Sequence, residues 1–212
     1  MKRLALVGSK EFAQQIRSFV EKMGEFEVVG FFDDTVSVGD LVFGLPILGK
    51  TDEIASIYSK GLFDYIFCAS GYNNFAFREK IYETNKNIVP FANIIDPTAT
   101  IRDNVTFGEG VYIGPNSIIG SNTKIENNVF IHGGTRFGHD NYIRSHSYFS
   151  GRIDTAGFCT IGKRCFVGIC VCIADHITIC DDVWIGLGCI VGKSIKKPGK
   201  YISPSMKLIK IE

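Results

Sequence analysis

Apolar residues recur every sixth position through the second half of the chain. Starting at Ile101 and stepping by six, the positions run Phe107, Ile113, Ile119, Ile125, Ile131, Phe137, Ile143, Phe149, Thr155, Ile161, Val167, Ile173, Ile179, Ile185 and Val191. Fifteen of these sixteen are apolar, and Thr155 is the exception. At this chain's apolar content of 45%, chance produces such a run less than about one time in a thousand, even across six registers. A period of six fits neither a 3.6-residue helix nor simple strand alternation. It fits a short strand and a corner, repeated, with three sides making an 18-residue coil. The recurring apolar residue then points into a triangular interior. The small residue that often follows it, as at Gly108, Gly114, Gly120, Gly138, Gly162 and Gly168, is assigned to the tight corner. Sixteen hexads give a little over five coils, stacked about 4.8 Å apart. The prediction is a parallel β-helix of the hexapeptide-repeat type, which is left-handed, over residues 94–195.

Residues 1–93 show a different pattern. Leu4 to Val7 reads as a buried strand ending at Gly8, and Phe12, Ile16, Phe19, Val20 and Met23 follow at helical spacing. Val28 to Phe32 reads as a second strand ending at Asp33 and Asp34. A helix capped by Thr51 is expected through Tyr58, then a strand over Tyr65–Ala69, the turn Gly71-Tyr72-Asn73-Asn74 and a helix to about Glu83. Strands alternating with helices predict a small Rossmann-like parallel sheet. Its ligands belong at the carboxyl ends of the strands, here Gly8-Ser9, Asp33-Asp34 and Gly71. An acidic residue closing the second strand commonly holds a ribose hydroxyl. The segment from Gly8 to Ala13 has one glycine instead of the full dinucleotide fingerprint, so a smaller nucleotide group is expected rather than a redox dinucleotide. Residues 196–212 follow the repeat as a tail, with Pro198 marking the break.

Composition narrows the function. Lys and Arg number 23 and Asp and Glu 22, for a net charge of +1. That balance argues against a nucleic-acid or membrane-surface partner, both of which favour a basic excess. No apolar run reaches the roughly 18 residues of a membrane span. The apolar stretch in MKRLALVGSKEF is too short for a secretory signal, so a cytoplasmic protein is expected. The seven cysteines form no paired CxxC motif, which predicts small apolar filler rather than disulfides or zinc. No metal site is expected.

A small βαβ domain ending in FFDD and joined to a hexapeptide β-helix resembles a known family. These are bacterial acetyl-CoA-dependent N-acetyltransferases acting on nucleotide-linked amino sugars, including the bacillosamine-pathway type; sialic-acid-pathway O-acetyltransferases share the layout. The resemblance covers almost the whole chain. It implies a catalytic His followed by an acidic residue on a coil, and Thr135–Ile143 carries that motif as His139-Asp140. His139 is then the general base, with Asp140 orienting it, for direct attack of an amine on the thioester. A neutral imidazole suits that step at cellular pH. The resemblance places acetyl-CoA contacts at Tyr148, Ile169 and Leu187, and the nucleotide sugar at Gly8, Ser9, Lys10, Asp33, Asp34 and Gly71. It also implies a homotrimer with active sites between subunits. Outward aromatics such as Tyr112, Phe130, Tyr142 and Trp184 are candidates for the contacts between prisms. Sugar O-acetylation, a zinc carbonic-anhydrase-like site and a non-catalytic scaffold remain as other readings of the same scaffold.

Overall fold

The structure, a computed structural model, describes residues 1–71 and 74–203. Tyr72, Asn73 and most of the expected tail, residues 204–212, lie outside the described residues. The first ninety residues build a sheet from β1 (Lys2–Val7), β2 (Phe26–Phe32), β3 (Leu41–Val42), β4 (Leu45–Gly49) and β5 (Tyr65–Cys68), in the order β3-β4-β2-β1-β5. All neighbours are parallel except β3 and β4, a hairpin not expected from the sequence. The helices are α1 (Glu11–Met23), α2 (Ile54–Ser59) and α3 (Phe75–Asn85). Helix α1 stops because Gly24 turns into the left-handed region at φ +71, and its N–H closes on the Val20 carbonyl. Thr51 does not cap α2. It opens a 3-10 turn over Thr51–Glu53, and its hydroxyl donates to Asp34.

From Ile94 the chain winds into a left-handed parallel β-helix whose strands are two or three residues long. Three sheets form the faces of a prism. The first runs from Ile94–Ile95 to Gly199–Tyr201 in seven strands. The second runs from Thr100–Ile101 to Ile190–Val191 in six, and the third from Thr106–Phe107 to Thr178–Ile179 in five. Register is constant at 18 residues per coil, as in Ile118 against Arg136 and Arg136 against Asp154. The interior is the hexad series itself, with Ile113 through Ile185 almost wholly buried. Residues two positions earlier also point inward: Val111, Ser117, Thr123, Val129, Ile153, Cys159, Cys165 and Val171 are all buried. Thr155, the polar exception, receives a hydrogen bond from the Asn141 amide at 3.1 Å.

The corners correct one expectation. The left-handed backbone falls three residues after the apolar position, not one. Asn104, Gly110, Asn116, Asn122, Asn128, Gly134, Asp140, His146, Arg152, Phe158, Arg164, Cys170, His176, Asp182 and Gly188 all have φ between +51 and +71. The small residue directly after the apolar one serves stacking instead. A Cβ on Gly120 would stand 2.4 Å from the Gly138 carbonyl carbon, in the backbone of the next coil.

The N-terminal domain sits on the first face. Ile94, Tyr112, Phe130, Tyr148, Phe166 and Trp184 form one outward column at 18-residue spacing. Phe12, Phe19 and Phe67 pack onto it, with Phe67 and Phe130 stacked at 5.2 Å and 9°. Tyr112 and Phe130 are therefore buried inside this chain rather than left for a second prism, and Trp184 packs at the edge of the same cluster. Tyr142 instead hydrogen-bonds Glu126 on the third face. Of the cysteines, Cys68, Cys159, Cys165 and Cys189 are buried as filler, whereas Cys170 and Cys172 are exposed.

Candidate active site

The corner between the second and third faces carries His139 and Asp140. Asp140 takes the left-handed corner conformation at φ +56, one that Asp tolerates well. That turn swings its carboxylate back onto the preceding side chain, and His139 Nδ1 lies 2.7 Å from Asp140 Oδ2. A carboxylate only accepts, so Nδ1 carries the hydrogen and Nε2 is left with the lone pair. The other Asp140 oxygen accepts from Asn122 Nδ2 at 3.3 Å, and Asn122 in turn accepts from Asn104 at 3.2 Å. This amide ladder down the corner fixes the carboxylate. The His139 side chain is 58% exposed.

Two residues missed by sequence reasoning frame the ring. Gly157 lies directly under His139 in the next coil; a Cβ there would approach ring atoms Cε1 and Nε2 at 2.8 and 2.9 Å. Phe158 meets the imidazole edge-on, with centroids 5.0 Å apart and planes at 89°. Only the 18-residue coil period makes these positions neighbours of 139 and 140, so the period was the signal that could have found them.

At the carboxyl ends of β1, β2 and β5 lies a cavity of about 630 Å³. Gly8, Lys10, Asp33, Asp34 and Gly71 line it, as expected, together with Phe12, Asn74 and Phe77. Ser9 and Asp33 are largely consumed by each other. Asp33 Oδ2 accepts from the Ser9 N–H at 3.0 Å and its hydroxyl at 2.7 Å, while Oδ1 accepts both donors of Thr35 at 2.8 and 2.6 Å. Burial pushes the Asp33 carboxyl up, but the Thr35 and Ser9 donors outweigh it and hold it below the usual carboxylate range. Asp33 thus shapes the floor of the cavity and stays ionised. Asp34 is likewise engaged, by the Thr51 N–H at 2.8 Å and hydroxyl at 2.9 Å. Lys50 ties the carbonyls of Asp33, Asp34 and Val36 from below. Lys10, at the start of α1 with no side-chain cap bond, remains the exposed cation at the rim.

The expected acetyl-CoA residues separate. Tyr148 is 5% exposed, in the seam between the N-terminal domain and the first face. There it packs against His132 at 4.9 Å and against Phe130 and Phe166 at 6.0 Å each. Its ring is covered, so the structure does not offer it to a cosubstrate. Ile169 and Leu187 are exposed, at 44% and 75%. They stack 18 residues apart on the corner between the first and second faces, continuing a column begun by Gly133 and Gly151. His139 is on the other edge of the second face. The N-terminal cavity opens beside Phe12, whose ring lies 5.6 Å from His132 on the Ile169 corner. One chain therefore places its cavity and its Ile169–Leu187 strip on one corner and its His139–Asp140 pair on the next.

Among the described residues no group of three or more His, Cys, Asp or Glu is placed to hold a metal ion, and no helix is long and apolar enough to cross a membrane.

Residues 92–211, more than half the chain, match the family model of the GMPPB C-terminal domain. The chain belongs to that family. Residues 3–85 match the model of the PglD N-terminal domain, so this family's β-helix is joined here to a second recognised unit. A histidine-to-asparagine variant of perosamine N-acetyltransferase from Caulobacter crescentus, solved with CoA and GDP-perosamine, has the same fold. Its TM-score is 0.87 at 20% identity, over 96% of this chain and 94% of that one. The acetyltransferase domain of PglB from Neisseria gonorrhoeae gives 0.85 at 21%, over 96% and 97%. UDP-3-O-acylglucosamine N-acyltransferase from Herminiimonas arsenicoxydans is 39% identical over 66 residues, 31% of this chain and 19% of that protein. The chain thus spans about a fifth of the length of the curated relatives it matches.

Proposed function

We infer that this protein transfers an acetyl group from acetyl-CoA to the amine of a nucleotide-linked amino sugar. The observation that carries the reading is the exposed His139–Asp140 pair at a prism corner, its Nδ1 tied to the carboxylate at 2.7 Å, which leaves Nε2 as the ring nitrogen with a free lone pair. The PglD N-terminal domain and the cavity at its strand ends support a nucleotide-linked acceptor. Structural neighbours that hold CoA, acetyl-CoA or GDP-perosamine support the donor and acceptor classes.

The chemistry follows from the pair. The amine attacks the thioester carbonyl, and His139 Nε2 takes the proton the nitrogen must lose. Asp140 steadies the imidazolium while it exists. The tetrahedral intermediate collapses with cleavage of the C–S bond, and the thiolate leaves with the proton returned by His139. No covalent enzyme intermediate is needed, because the thioester is already activated. A cavity on one corner and the base on the next are what a site shared between neighbouring prisms requires, so the working form is a homotrimer acting inside the cell.

The test is thiol release from acetyl-CoA with nucleotide-linked 3-amino and 4-amino deoxysugars, alongside their hydroxyl counterparts. The amines are turned over and the hydroxyl forms are not. His139→Ala lowers kcat by about 10²–10⁴-fold with oligomeric state intact. Full activity in that variant, or turnover of the hydroxyl sugars alone, removes the reading.

A further inference from the structure

Helix α3 ties the strand-end cavity to the prism. Its N-terminal end lines the cavity with Asn74 and Phe77, and the next residue, Arg78, turns into the seam and is wholly buried. There it meets Asn128, on the corner between the third and first faces. Arg78 Nη2 donates to the Asn128 carbonyl at 2.7 Å, and Asn128 Nδ2 donates back to the Arg78 carbonyl at 3.2 Å. The same amide donates to His146 Nδ1, one coil on, at 2.9 Å. One coil further, Arg164 reaches Glu79 of α3 at 3.2 Å. Arg78 is a costly way to fill this space. Among the described residues its Nε and Nη1 have no hydrogen-bond partner, and the face of Phe130 at 3.8 Å offsets only part of the lost hydration. An apolar side chain would fill the same volume at lower cost. What the guanidinium adds is direction. The ring contacts of Phe12, Phe19 and Phe67 with the first face bury area without fixing a position along it. The reciprocal bonds between Arg78 and Asn128 fix one.

We propose that Arg78 is a positioning residue for acetyl transfer: its exchange of hydrogen bonds with Asn128 sets the acceptor cavity at the height along the prism from which a bound amine meets the base. This rests on the reading of His139 as that base and of the cavity as the acceptor site. Cavity and base stand on different corners, so in the proposed homotrimer the N-terminal domain holds the amine while the prisms set where the neighbouring His139 lies. Slack in the seam between domain and prism then becomes displacement of the amine from the base, and about one ångström there costs roughly 100-fold in rate. The acceptor's affinity is a separate matter. Arg78 is not among the residues lining the cavity, so its loss loosens the cavity's placement and leaves the cavity's own contacts in place.

The experiment uses the full chain and four proteins: wild type, Arg78→Met, Arg78→Lys and Asn128→Gly. Methionine fills the seam without a donor, and lysine keeps one donor for the Asn128 carbonyl. Glycine keeps the corner, where Asn128 has φ +55, and removes only the amide. The acceptor is the nucleotide-linked amino deoxysugar that the wild type turns over, and rates are taken per folded molecule. Arg78→Met lowers kcat by about 100-fold, while calorimetry of the same sugar without acetyl-CoA gives an affinity within about twofold of wild type. Arg78→Lys recovers most of the lost rate. Asn128→Gly shows the same split of lost turnover and kept affinity, and it carries the test if Arg78→Met does not fold. Unchanged kcat in Arg78→Met or, where that variant does not fold, in Asn128→Gly overturns the proposal. So does weaker sugar binding that accounts for the loss, which would make Arg78 part of the cavity's own structure, and so does a lysine variant no better than methionine. A wild type that acetylates no nucleotide-linked amine overturns the proposed function as well, so the two failures are distinguishable.

Discussion

At the scale of single residues, the site depends on what lies under the imidazole as much as on its carboxylate. Gly157 is small because the His139 ring occupies the space its side chain would take. Its φ is ordinary, so alanine is tolerated by the backbone, and the methyl group must displace the ring. Gly157→Ala should therefore leave stability within about 0.5 kcal/mol of wild type yet lower kcat by roughly 100-fold, the cost of moving a catalytic group by about an ångström. Thermal unfolding and steady-state kinetics on one preparation check both halves. A large loss of stability with activity preserved per folded molecule would show that the glycine serves the coil and not the ring. His139 and Asp140 were legible as a pair because adjacency is written in the chain. Gly157 and Phe158 were not, since neighbours in a column are 18 residues apart and only a correct coil geometry brings them together. The glycines after each apolar position were visible too, but their reason was misread. They make room for the next coil, while Asn, Asp and Gly three positions later make the turn.

At the scale of elements, the seam between the N-terminal domain and the first prism face is where sequence reasoning stopped. The aromatic column Tyr112, Phe130, Tyr148 was legible as outward-facing, but nothing in a hexad states which partner covers it. The structure shows the partner to be α1, α3 and the sheet of the same chain. The seam also buries polar groups. Arg78 on α3 is fully buried over the Phe130 ring at 3.8 Å, with its Nη2 donating to the Asn128 carbonyl. Burial, assisted by Arg78, pushes the His132 imidazole down to about 4. His146, buried at the α3 corner against Asn128, is lowered chiefly by burial as well. A base with a lowered folded pKa binds fewer protons folded than unfolded, so its contribution to stability is complete above pH 6.5 and is lost as pH falls toward the folded value. Between pH 7 and 5, above the range where most carboxylates titrate, His132 alone accounts for about 2 kcal/mol of lost stability. His132→Phe keeps the ring contacts with Phe12 and Tyr148 and removes the titration. Urea unfolding at pH 7 and pH 5 should show a much smaller difference for the variant. Equal differences for both proteins would place the acid sensitivity elsewhere.

At the scale of the whole molecule, the arrangement of corners decides how many chains make one site. The N-terminal domain covers the first face, and a triangular prism has one corner opposite that face. His139 stands on it. No bending of a two-residue strand brings it to the chain's own cavity, because constant 18-residue register makes the prism a rigid column. In the proposed homotrimer, a second prism laid beside the first would bring its His139 corner against the cavity and the Ile169–Leu187 strip. Three prisms would close that heterologous contact into a ring. The expectation can be tested without a structure of the assembly. Gly71 lines the cavity with open space where its Cβ would be, so Gly71→Trp fills the acceptor site and leaves His139 intact. His139→Ala does the converse. Each variant alone is inactive. When the two are unfolded together in equal amounts and refolded, or co-expressed, a shared site forms wherever a Gly71→Trp chain offers its His139 to the cavity of a His139→Ala chain. Random assembly places that pair at about one contact in four, so activity returns to roughly a quarter of the wild-type level. A site contained within one chain cannot be rebuilt by mixing, and the mixture would stay as inactive as its components.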